Sequence, residues 1–230
     1  MNVIIGVPAY GGSVRIEFTL RLVATVIALL HAGHEVDVIY TASESLIPRA
    51  RNSIATKALA TKFTHLLWID ADSVFDPKDI LRLLEAAKPI VALPYAIKHL
   101  DWQAIAEAAR IGVPAGELAA AGTTSVGKDG VACGTGTMLV ERRVFEAMAA
   151  QPERWYTPPP LTAQVSGIQK ECEFYRAGVV DGVFLPEDFS FCLSARALGF
   201  ESQLLEANTG HIGSFTYEHR AVTPQCDAVK

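Results

Sequence analysis

The sequence predicts an α/β protein: a mostly parallel, twisted sheet flanked by helices, with a smaller irregular region in its second half. Three observations carry this. Apolar runs of strand length alternate with longer helical patterns from residue 2 to residue 93. The first run, 2-NVIIGVP-8, is nearly all hydrophobic, as a strand buried on both faces has to be. The stretch 66-LLWIDADSVFDP-77 drives an apolar strand into two carboxylates, Asp70 and Asp72, at the end where open α/β sheets bind ligands.

The elements follow in order. Residues 2–8 form a strand ended by Pro8. Residues 14–32, closed by Gly33, carry apolar positions on more than one face and form a helix packed on a sheet. 35-EVDVIY-40 alternates as a second strand. Residues 46–62 are helical, with Pro48 in the first turn, where no backbone N–H is needed. Residues 64–69 are the third strand. Asp76-Pro77 opens a helix over 77–87, and 89-PIVAL-93 is the fourth strand. This βαβαβαβ order implies right-handed crossovers.

The second half is less regular. Residues 101–122 are Ala-rich and helical, broken by Gly112 and Pro114. A strand over 135–140 precedes a helix over 142–150. Residues 151–183, with their run of three prolines, form loops and short strands. A helix over 187–198 ends at Gly199, and 201–206 is the last strand. No repeat or long linker divides the chain, so residues 1–98 and 99–230 are read as two halves of one domain.

Composition narrows the function. Half of the residues are hydrophobic and a fifth charged, enough for a sizeable core. A net charge of -5 and a pI near 5.7 exclude the global basic footprint of a nucleic-acid binder. An anionic ligand would need local Arg, Lys or a metal ion. The four cysteines form no CxxC pair, which predicts reduced thiols and, with no signal peptide in view, a cytoplasmic protein, peripheral to a membrane at most. The longest largely apolar run, Leu22 to Leu30, is nine residues, too short for the roughly 20 that span a bilayer.

Asp70 and Asp72 repel one another unless something cationic stands between them. A divalent ion does that, and hard oxygen ligands suit Mg²⁺ or Mn²⁺. The plain alternative is that one of the two caps the next turn.

The segment 46-LIPRARNSIATKALATKFTHLLWIDADSVFDP-77 resembles the nucleotide-sugar-binding half of GT-A-fold glycosyltransferases, family 2-like, in which an Arg-bearing helix precedes a strand ending in a DxD motif. The segments 3-VIIGVPAY-10, 134-GTGTMLVERRVFEAM-148, 186-PEDFSFCLSARALGF-200 and 209-TGHIGSF-215 fit the same pattern in the same order. Residues 99–130 have no counterpart. The resemblance implies metal-dependent transfer of a sugar from a nucleoside-diphosphate sugar, UDP by default, to a hydroxyl of a glycan, lipid-linked or protein acceptor. Whether configuration is inverted or retained stays open.

It also implies roles. Asp72 would ligate the metal on the diphosphate, Asp70 would contact the ribose or the metal, and His211 would be a further ligand. Pro8, Ala9 and Tyr10 would line the base pocket, with Ala71 alongside. Arg51, with Asn52 next to it, would face the ligand while Arg49 faces solvent. Gly134 would allow a close backbone approach beneath the sugar. Asp188, with Glu187 second, would be the general base taking the acceptor proton. Pro94, Tyr95 and Lys98 would add to the wall.

Bland readings stand beside these: His211 as a surface histidine, Glu187 and Asp188 as helix-dipole partners. Two rival functions remain. WIDADSV also resembles the first motif of haloacid-dehalogenase-type phosphohydrolases, with Asp70 as nucleophile, although their later GDxxxD-like motif is missing. The chain could also bind a nucleotide sugar without transferring it.

Overall fold

Strand β1 (Asn2–Ala9) is buried from Val3 onward because it lies between two parallel neighbours, β2 (Glu35–Ala42) and β3 (His65–Ile69). The computed structural model describes residues 1–94, 110, 132–213 and 216–219. Apart from residue 110, the expected helix over 101–122 lies outside them, as do Tyr95 and Lys98.

The six-stranded sheet is completed by β5 (Ile90–Ala92), β6 (Thr137–Glu141) and β11 (Ser202–Leu204), in the order β11-β5-β6-β3-β1-β2. Five strands run one way. β6 runs antiparallel to both β3 and β5 and separates them. The sheet is therefore mixed but mostly parallel, as the alternating pattern predicts.

Helices cover both faces. On one, α1 (Ile16–His31) and α3 (Pro77–Glu85) pack through Phe18, Leu29, Ile80 and Leu83 onto Ile5 and Leu67. On the other lie α2 (Ile47–Leu59), α4 (Arg142–Ala149) and α6 (Glu187–Ala197). The apolar runs of the strands thus meet a hydrophobic layer on each side.

Three local devices set the geometry beneath the site. First, Gly6 makes room for Trp68: a Cβ there would meet the indole ring at 2.9 Å. Second, fully buried Trp68 packs edge-on against Tyr175, which stacks on Phe191 of α6. An aromatic column therefore ties β3 to α6. Third, Asn52 of α2 is consumed by the backbone: Phe174 N and Tyr175 N donate to its Oδ1, and its Nδ2 donates to Tyr175 O.

Several short elements escape the sequence reading. β4 (Ser73–Val74) pairs with β12 (Thr209–Ile212), which pairs with β13 (Thr216–His219). A two-residue strand has no periodicity to read; only the pairing defines it. Within the expected loops lie β7 (Trp155–Tyr156) against β8 (Glu171–Cys172), a short α5 (Pro160–Ser166), and a hairpin of β9 (Gly178–Val180) and β10 (Val183–Leu185). No described helix is long and apolar enough to cross a membrane.

Candidate active site

A crevice of about 570 Å³ opens at the carboxyl ends of β1 and β3. Pro8, Ala9, Tyr10, Asp70, Ala71, Asp72 and His211 all line it. Residues more than two hundred positions apart thus converge where the sheet topology places a ligand. Tyr10 is 72 % exposed, so its ring is open to a stacking partner.

The acidic turn is built by its neighbours. At the end of β3 the Asp70 N–H still donates to Gly136 O, in register with β6, and Ser73 N then closes a turn onto Asp70 O. The Ser73 hydroxyl donates to the same Gly136 carbonyl. The GTGT segment therefore grips the backbone of the DxD turn. Gly134 is buried in that segment and does not line the crevice.

The like charges of the DxD pair are reconciled separately. Arg51 Nη2 lies 2.9 and 3.0 Å from the two carboxylate oxygens of Asp70. Its Nε is 3.5 Å from Glu187 Oε1, and the guanidinium sits over the Trp68 ring. Arg51 is 2 % exposed. Burial works against its charge, but Asp70 and then Glu187 outweigh that and hold its pKa above the ordinary value. Burial raises the Asp70 carboxyl, Arg51 pulls it back, and Asp72 pushes it up again.

Arg51 is thus an internal counter-ion joining the first DxD acid to the first acid of α6. It does not line the crevice, and neither does Asn52. Helical periodicity places Arg49 and Arg51 on different faces but cannot say which is inward. Arg49 is the partly exposed one, paired with Glu44 and Thr162.

Asp72 meets His211 instead. β12 pairs with β4 so that His211 stands opposite Ser73, and Ile212 N donates to Asp72 O at 2.7 Å. This brings His211 Nε2 to 3.1 Å from Asp72 Oδ1. Among the described residues no group of three or more His, Cys, Asp or Glu is arranged to hold a metal. One carboxylate oxygen and one imidazole nitrogen fit a hard-to-borderline divalent ion that takes its remaining ligands from phosphate and water. Asp70 faces Arg51, not His211.

Glu187 and Asp188 open α6, where the helix dipole favours acids. Asp188 is 8 % exposed and its Oδ1 accepts from Phe189 N. Burial, then the charge of Glu187, push its carboxyl up to about 6. Neither acid lines the crevice as the described residues define it.

Sequence reasoning missed Arg15, Glu44 and Ser45, which line the crevice. Arg15 Nη2 donates to Gly213 O, tying the loop after β1 to the loop bearing His211. The signal was present: Arg15 and Glu44 follow β1 and β2, in the loops beyond the strand ends where ligands bind.

No protein-family model matches the chain, and no curated protein matches it. Among solved structures it is similar to a 4-diphosphocytidyl-2C-methyl-D-erythritol synthase from Anaerococcus prevotii: 10% identity, 89% of this chain, 86% of that one, TM-score 0.41. It is also similar to a candidate glucose-1-phosphate thymidylyltransferase from Bacillus anthracis, solved with sucrose: 8% identity, 90% and 89% coverage, TM-score 0.44. Likeness at this level says nothing about chemistry, and the α/β architecture stands on the sheet order itself.

Proposed function

We propose that this protein transfers a sugar from a nucleoside-diphosphate sugar to an acceptor hydroxyl, with a divalent metal ion. The observation that carries the reading is the 3.1 Å approach of His211 to Asp72 at the carboxyl-end crevice. The two residues are 139 positions apart in the chain, and the family resemblance implied them as ligands of one ion.

Pro8, Ala9 and Tyr10 would receive the base. Asp72 and His211 would hold Mn²⁺ or Mg²⁺ against the diphosphate. That ion would neutralise charge on the leaving group. Arg15, rather than Arg51, is the crevice cation placed to add to it. Arg51 would act by positioning, holding Asp70 in the wall of the crevice. Asp188, its carboxyl pushed up to about 6 by burial and Glu187, would be the general base. Holding Asp70 on Arg51 also argues against a phosphoryl-accepting role for that carboxylate, since both oxygens are already engaged.

The test is a thermal-shift series with UDP, GDP, CDP and TDP, each with and without Mn²⁺, on wild type and Asp72→Asn. The reading expects at least one diphosphate whose stabilisation needs the metal and vanishes in the variant. Metal-independent shifts, or equal shifts in Asp72→Asn, would remove the metal role. No shift with any nucleotide would remove the reading altogether.

A further inference from the structure

Helix α1 presents an apolar stripe to solvent on the side away from the sheet. Phe18, Thr25 and Leu29 face inward and are fully buried. Ile16, Leu20, Val23, Ile27 and Leu30 face outward, at 65, 63, 50, 48 and 52 % exposure. Their spacing of four, three, four and three residues is a heptad seam over two full repeats. It is also narrow, as a seam for another helix is, whereas the core face of a globular helix is broader.

The edge strand beside α1 also carries exposed apolar side chains. Val38 and Tyr40 of β2 lie opposite Ile5 and Val7, hence on the α1 side, and are 38 and 66 % exposed. With roughly 200 Å² for a fully exposed large side chain, the five stripe residues present on the order of 550 Å² and all seven roughly 750 Å². A typical monomer's largest apolar patch is about 300–600 Å². A stable interface takes about 800 Å² per partner.

We propose that α1 is the surface through which two copies of this chain pair, antiparallel about a two-fold axis at Val23. That register sets Ile16 of one copy against Leu30 of the other and Leu20 against Ile27. It also brings Glu17 beside His31. The same patch meets itself, as an isologous contact requires. Two heptads are too few to pair as free peptides, but α1 is already folded on the sheet and pays no further ordering cost.

A lipid surface is the weaker occupant. Membrane-lying helices carry Lys and Arg along their polar flanks. α1 has no Lys, and Arg21 donates to Phe75 O while Arg15 donates to Gly213 O. The net charge of -5 would oppose an anionic bilayer.

The proposal is independent of the function proposed above. The full chain, run in sedimentation equilibrium up to about 100 µM, is expected at twice 24.8 kDa. The double variant Leu20→Glu, Ile27→Glu alters only exposed positions and is expected to be a folded monomer by circular dichroism and mass. Val23→Cys, on the axis, is expected to oxidise to a disulfide-linked dimer. A monomeric wild type overturns the proposal, as does a dimer that survives the double variant. If the wild type is monomeric but floats with phosphatidylcholine–phosphatidylserine vesicles and the double variant does not, the surface belongs to a membrane and the proposal also falls.

Discussion

Asp188→Asn probes the candidate site through stability, with no ligand needed. Burial and the adjacent Glu187 move the Asp188 carboxyl from 3.8 to about 6 in the folded protein. The unfolded chain titrates near the ordinary value. Between those two values the folded protein holds a proton that the unfolded chain has released. Stability contributed by this group therefore falls as pH rises through that window. About two pH units correspond to about 3 kcal/mol at neutral pH and above. The amide keeps the oxygen that accepts from Phe189 N and removes the charge.

Asp188→Asn should therefore be more stable than wild type by up to about 3 kcal/mol at pH 8, with the gap closed by about pH 4. Urea unfolding followed by the fluorescence of buried Trp68, repeated across that range, measures it. A gap that does not change with pH, or one that widens toward acid, would refute the reasoning. Under the proposed function the stabilised variant also loses transfer by at least about tenfold, the trade expected of a strained site.

Three further substitutions test the framework around the site. Arg51→Met leaves Asp70 and Glu187 without their buried counter-ion and should cost about 3–5 kcal/mol at pH 7 by chemical unfolding; adding Asp70→Asn should restore part of that, and strict additivity would disprove the pair. Asn52→Ala orphans the N–H groups of Phe174 and Tyr175, at about 1–3 kcal/mol each, and should lower the melting temperature. An unchanged melting temperature would show that water replaces the amide. Gly6→Ala forces a methyl into the Trp68 ring and should destabilise by about 1–3 kcal/mol, visible as a shifted Trp emission as well as a lower melting temperature.

Much of this protein is legible in its sequence. The runs 2-NVIIGVP-8 and 66-LLWI-69 read as strands buried on both faces, because an apolar run of that length has no polar side to give to water. Pro77 after Asp76 marked the start of α3, and the Asp76 side chain does accept from Lys78 N. The DxD turn fell where a parallel sheet exposes its carboxyl ends. Each of these follows from local stereochemistry or from the period of the hydrophobic pattern.

Other features were decided only by the fold. Arg51 carries the same charge as Arg49, and nothing in the sequence says that one is buried against Asp70 while the other reaches Thr162. That choice depends on how α2 packs against β1 and β2 of the sheet. Asn52 looked like a ligand contact because the Arg51-Asn52 pair matches the pattern of the resembling family, yet its hydrogen bonds are spent on a backbone segment 122 residues away. The meeting of Asp72 with His211 needs β4, a strand of two residues that exists only through its partner. Periodicity records which face a side chain takes, whereas the identity of what it meets there is a long-range property of the folded chain.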